Sequence, residues 1–135
     1  MAELNIEAKT ENLEKVQAFV SDLLDGYDCA PKVRTQLAIA IEELFVNIAH
    51  YAYNPATGSA TVRVEVQSDP LQVSVTFIDN GVPYDPLSRP DPNVSLSAGD
   101  RPIGGLGIYM VKKSMDLVHY EYKEGKNILT IQKKL

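Results

Sequence analysis

The sequence is short of cysteine, of histidine, of base relative to acid and of long apolar runs, and each shortage removes a class of protein. Cys29 is the single cysteine, so no intrachain disulfide can form, which suits a reducing cytosol. The two histidines, His50 and His119, have no cysteine or histidine at metal-ligand spacing, so a zinc site is not expected. Thirteen lysines and arginines face 18 acids, a formal net charge of −5. That balance argues against a nucleic-acid binder, which carries a basic face. No stretch approaches the ~18 apolar residues of a membrane span, and Met1-Ala-Glu-Leu-Asn5 has neither the basic nor the apolar region of a signal peptide. The expectation is a cytoplasmic protein that engages neither membrane nor nucleic acid. Two phosphate motifs are missing too. There is no G-x-x-x-x-G-K-[ST], and G-x-G-x-x-G fails because Met110 holds its last position and no strand precedes it. No G-x-S-x-G nucleophile elbow occurs.

What is present fits one domain over residues 1–135, with 44% hydrophobic and 23% charged residues, enough to bury a core without staples. Residues 3–9 alternate like a half-buried strand. Thr10 reads as an N-cap for a helix striped by Leu13, Val16, Val20, Leu23 and Leu24. Pro31 suits the first turn of a second helix, striped by Val33, Leu37, Ala40, Ile41, Leu44, Phe45 and Ile48 and running to about Tyr53. Runs 60–67 and 72–78 read as a hairpin. Residues 82–103 hold five of the eight prolines and no period, as a functional lid would. A helix over about 105–115 and strands 118–123 and 128–132 close the chain. The order β-α-α-β-β-lid-α-β-β predicts an α+β sandwich, a mostly antiparallel mixed sheet with helices on one face.

Three clusters could carry chemistry. Glu43 and Asn47 stand four residues apart in Ile41-Glu-Glu-Leu-Phe-Val-Asn-Ile-Ala-His50, so they share a helix face. A carboxylate and an amide there could hold a water, a hydroxyl or a magnesium shell, although an isolated pair is more often a solvated face. Asp79-Asn-Gly81 ends a buried strand: the acid can accept a hydrogen bond from a ligand amino group, and the glycine would let a flat ring approach. An ordinary Asx turn is the bland alternative. Gly104-Gly-Leu-Gly107 leads into a helix N-terminus, where backbone N–H groups and the dipole favour phosphate, or is a plain loop exit. His50 reads as a hydrogen-bonded structural histidine bordering the same region.

In that order and on those elements, the clusters resemble the N, G1 and G2 boxes of the gyrase, histidine kinase and MutL ATPase superfamily, whose nucleotide fold is called Bergerat. Within it, Glu43–Tyr53 and Arg101-Pro-Ile-Gly-Gly-Leu-Gly-Ile-Tyr-Met-Val111 are most similar to the anti-sigma-factor serine kinases. The resemblance implies ATP and Mg2+ as cofactors, with Asn47 as the metal-binding amide and Glu43 as the base toward a substrate serine. It places Asp79 and Gly81 at the adenine, and Gly104, Gly105, Leu106 and Gly107 in the phosphate loop. Arg101, with Arg89 as a second candidate, would reach the terminal phosphate. The implied partners are a sigma factor or other effector and a small antagonist protein, with a homodimer favoured. Pro83 stands where the second glycine of a D-x-G-x-G pattern would be, which would stiffen the lid hinge. Rival readings are a nucleotide-gated binding module without transfer activity and a detached ATP-binding domain of a two-component histidine kinase.

Overall fold

A computed structural model of the chain describes residues 1–53, 56–88 and 106–135. The strands are β1 (Ala2–Glu7), β2 (Ser59–Gln67), β3 (Gln72–Asp79), β4 (Leu117–Lys123) and β5 (Lys126–Lys134), and the helices are α1 (Leu13–Leu24), α2 (Pro31–Asn47) and α3 (Leu106–Ser114). The sheet runs β1-β2-β3-β5-β4. Every described pair is antiparallel, so the mixed sheet expected from sequence is replaced by a wholly antiparallel one among these residues.

The period of two along each strand decides which face is covered. Ala60, Val62 and Val64 of β2, Val73, Val75 and Phe77 of β3, and Leu129 and Ile131 of β5 are buried and in register across the sheet. They pack in one core with Val16, Val20 and Leu24 of α1, Leu37, Ala40, Ile41, Leu44 and Phe45 of α2, and Ile108 and Val111 of α3. The opposite face is polar where β1 meets β2, with Thr61 bonded to Asn5 and Arg63 paired to Glu3. Helices therefore lie against one face, as the alternation predicts.

Local chemistry departs from expectation at two places, the start of α1 and the end of α2. Thr10 is not a helix N-cap: residues Thr10–Asn12 form a 3₁₀ turn, and the Asn12 amide donates back to the Glu7 carbonyl at 2.9 Å instead. Arg34 closes the other end of α1, donating to the Ser21 carbonyl and hydroxyl and to Asp25 at 2.7–2.8 Å. The second helix ends at Asn47 and continues as a π-helical turn, Ile48–Ala52. Such a wide turn inserts extra backbone and re-aims the chain beyond it, a feature frequent at functional sites.

The segment after β3 opens with backbone hydrogen bonds to the rest of the fold. Val82 donates to the Ala52 carbonyl at 2.9 Å, Tyr84 to the Asn127 side chain at 3.1 Å, and Leu87 to the Asp85 carboxylate at 2.8 Å. Pro86–Ser88 then form a 3₁₀ turn. Residues 82–88 of the expected lid are thus tied down by their own backbone bonds. Its stretch 89–103, with Arg89 and Arg101, lies outside the described residues, as do Gly104 and Gly105.

Candidate functional site

The strand period carries one polar residue at the end of each of two apolar rows. Asp79 continues the inward row Val73, Val75, Phe77, and Asn127 begins the inward row Leu129, Ile131. The two face each other across β3 and β5, and both are buried, at 4% and 6% exposure. A buried carboxylate is costly unless it is hydrogen-bonded. Asp79 Oδ1 meets that need, accepting from the Gly81 N–H and from Asn127 Nδ2, each at 2.9 Å. Among the described residues Oδ2 accepts no bond, and Asp79 lines a cavity.

That cavity spans about 420 Å³ with the open solvent at its mouth included, of which about 40 Å³ can take the centre of a water molecule, room for a few waters or the edge of a flat group. Apolar walls come from Leu44 and Ile48, from Phe77, and from Pro86 and Leu129, while Asn47, Asp79, Tyr84, Tyr120 and Asn127 bring polar atoms. Tyr84 is itself backed by Tyr51 of the π-helical turn, the rings stacked at 5.4 Å and 26°. An apolar cavity with a carboxylate in its wall has the chemistry to pair with a ring that carries an amino group.

Asn47 adds a second kind of polar edge. Its Nδ2 is buried without a hydrogen-bond partner, and such a group expects a ligand or a solvent molecule. A half-turn of the amide exchanges nitrogen for oxygen at almost no change in shape, so the same position can present an acceptor. Among the described residues no group of three or more His, Cys, Asp or Glu is placed to hold a metal. An all-protein metal cage is therefore not built among them. The residues fit magnesium bound the other way, through a single amide oxygen, with water and phosphate completing its shell.

Glu43 lies one turn earlier on α2 and half-buried, whereas its neighbour Glu42 is exposed. Its carboxylate packs against Gly107, the second residue of α3. A Cβ built on Gly107 would come within 2.2 Å of the Glu43 carboxylate. The glycine thus leaves room for the acid at the helix N-terminus, where unpaired N–H groups and the dipole favour negative charge. Leu106, whose backbone opens α3, is beside it in sequence. Glu43, Asn47 and Asp79 are in this way brought to one region by α2 and β3, with Gly107 against the first of them.

Gly81 has a different role from the one its sequence suggests. The space its missing side chain leaves is filled by the Ala52 backbone: a Cβ there would stand 2.2 Å from the Ala52 carbonyl oxygen. It lines a shallower recess beside Tyr53, Val82, Pro83 and Tyr122 and is not part of the main cavity wall. The close approach docks the π-helical turn onto the turn after β3. Gly81→Ala is expected to destabilise the protein by about 1–3 kcal/mol, the range for overpacking. A thermal midpoint equal to wild type would show that the backbones separate freely.

The histidine expectation also changes. His50 is exposed and edge-on to Tyr51 at 6.2 Å, so it is not a cavity residue. Three side chains absent from the sequence reading complete the site: Asn127, Tyr84 and Tyr120. Asn127 was visible as an inward polar residue in phase with Leu129 and Ile131. Burial raises the Tyr120 phenol above its usual range, against the pull of the Tyr84 N–H, and the Asp85 and Asp79 charges raise it further. Tyr120 therefore stays protonated and donates to Asn127 Oδ1. Tyr53, raised chiefly by burial, likewise keeps its proton, donating to the Ser59 carbonyl at 2.7 Å and accepting from the Asn80 N–H at 2.8 Å.

An antiparallel sheet covered on one face by helices, with an acid-lined cavity between sheet and α2, makes this an α+β sandwich domain. The family model described as histidine kinase-like ATPase domain matches residues 6–133, and the chain belongs to that family. Among its relatives, a serine/threonine-protein kinase BtrW of Bordetella bronchiseptica is 28% identical over 74% of this chain and 70% of its own. A serine-protein kinase RsbW of Listeria innocua is 27% identical over 93% of this chain and 82% of its own. The crystal structure of the RsbU and RsbW domains of Rv1364c from Mycobacterium tuberculosis superposes with a TM-score of 0.66 at 17% identity. All of this chain is covered in that match but only 33% of the other, so the chain spans about a third of that larger protein, and the likeness is one of fold.

Proposed function

We propose that the protein is an ATP- and Mg2+-dependent serine/threonine protein kinase of the partner-switching kind. It would hold a sigma factor or other effector in one state and phosphorylate a small antagonist protein in another. The observation that carries this is the placing of Glu43, a half-buried carboxylate of α2 that packs against the first turn of α3 and stands one helical turn from Asn47. An acid kept at that place argues against a module that only binds nucleotide. The names of the BtrW and RsbW relatives support the same reading.

Phosphoryl transfer asks the protein mainly for positioning and charge neutralisation. Asp79 Oδ2 receives the amino group of the base, and the cavity walls hold the ring. Asn47 would hold magnesium, which when bound neutralises charge on the phosphates. Glu43 accepts the proton as the serine oxygen forms its bond to phosphorus and ADP leaves. Gly104, Gly105 and Gly107 are assigned to the phosphates and Arg101 to the terminal one, with residues 82–103 as the lid. A cytoplasmic location and a homodimer complete the proposal.

The test is incubation of the protein with γ-labelled ATP and an extract of its source, followed by phosphoamino-acid analysis. Label on serine is expected. Label on histidine would make it a histidine kinase domain, and none at all a binding module. Asn47→Ala should weaken ATP binding with magnesium present and leave binding in EDTA unchanged. Equal loss in both conditions would remove the metal from Asn47.

A further inference from the structure

Asn127 makes four hydrogen bonds, all of its amide's capacity. Nδ2 donates to Asp79 Oδ1 and to the Val82 carbonyl, each at 2.9 Å. Oδ1 accepts from the Tyr84 N–H at 3.1 Å and from the Tyr120 hydroxyl. The residue is 6% exposed, and the partners come from three separate parts of the chain: β3, the segment after it, and β4. Nothing of the amide remains for a ligand, although the residue lines the cavity.

This saturation has two effects. Asp79 would otherwise be free to turn about its last bond and offer either oxygen. With Oδ1 held by Asn127 and Gly81, the carboxylate plane is fixed and Oδ2 alone is offered, a single acceptor. The same amide holds the backbone at Val82 and Tyr84, and Tyr84 is a wall of the cavity stacked on Tyr51. The acid that would meet the base and the ring that would border it are thus joined through one side chain.

We propose that Asn127 is a positioning residue. It fixes which oxygen of Asp79 meets the base of a bound nucleotide, and it ties residues 82–84 to that acid. The proposal rests on the nucleotide reading above and adds to it the source of base selectivity. A base with an exocyclic amino group pairs with the fixed acceptor. One with a carbonyl oxygen there, such as hypoxanthine, meets carboxylate against carbonyl and is refused.

The experiment compares wild type, Asn127→Ala and Asn127→Asp for binding of ATP and of inosine triphosphate by calorimetry, with thermal unfolding as the check on folding. Wild type is expected to prefer ATP. In Asn127→Ala, ATP affinity should fall roughly tenfold to a hundredfold, the worth of one charge-assisted hydrogen bond, and the preference over inosine triphosphate should shrink with it. In the kinase assay the loss should appear in KM and leave kcat nearly unchanged. Hydrogen exchange should lose protection at the Tyr84 amide. A folded Asn127→Ala with wild-type affinity and wild-type selectivity overturns the proposal.

Asn127→Asp decides the matter should the alanine variant not fold. It sets a second carboxyl against Asp79, and two carboxyls at that distance share one proton until the pH rises well above the ordinary carboxylate range. ATP affinity should then be weak at about pH 8 and recover toward about pH 6 as one of the pair takes a proton. The other titratable groups around the pair, Tyr53, Tyr84, Asp85, Tyr120 and Tyr122, with His50 beyond Tyr51, are common to wild type, so their contribution is read from its profile and subtracted. Parallel pH profiles for the two proteins would overturn the positioning role. A wild type that binds no ATP would instead bring down the functional reading itself.

Discussion

Glu43→Gln is expected to bind Mg-ATP and its protein partners nearly as wild type does and to transfer phosphate roughly 10²–10⁴-fold more slowly. Glutamine keeps the shape of the side chain and can still pack against Gly107, so the α2–α3 contact survives. What it loses is basicity. A general base contributes only in the transition state, where the hydroxyl proton is in flight, so kcat should fall and nucleotide affinity should not. Stopped reactions with purified antagonist protein, alongside ATP titrations of the same preparation, measure the two quantities separately. Transfer at the wild-type rate would mean that the serine proton leaves by another route and that the Glu43 carboxylate only braces α3.

Asp79→Asn should abolish base recognition with the fold intact. The introduced amide oxygen can take over both bonds now made to Oδ1, from Gly81 and from Asn127. Its nitrogen must then occupy the place of Oδ2 and point two hydrogens into the slot. An incoming amino group would meet donor against donor and leave both unpaired in an apolar cavity, the costly way to lose a hydrogen bond. ATP affinity should therefore drop by about a hundredfold or more, while thermal unfolding moves little. The opposite pattern, tight ATP binding by an unstable protein, would show that Asp79 serves only the turn after β3.

Much of this was legible in the chain because the signals are local. A period of 3.6 in α1 and α2 and a period of two in β2 and β3 reflect which side chains must face inward, and each is written within a dozen residues. The spacing of Glu43 and Asn47 fixes their common face by helix geometry alone. Thr10 misled because a threonine before an apolar stripe is only one of several ways to start a helix, and here Asn12 bonds back to the strand.

The sequence by itself determined the element order, the inward rows, and the residue types offered at the ends of those rows. Only the tertiary structure decided what these residues meet. Asn127 reaches Asp79 across 48 positions, a pairing set by the β3–β5 register, which no local pattern encodes. Gly81 serves the Ala52 carbonyl, and Gly107 the Glu43 carboxylate, because a close approach depends on how two elements pack and not on the glycine's own neighbours. The π-helical turn after Asn47 belongs to the same group: its Ala52 carbonyl meets Val82 and Gly81 in the turn after β3, a contact made across the fold.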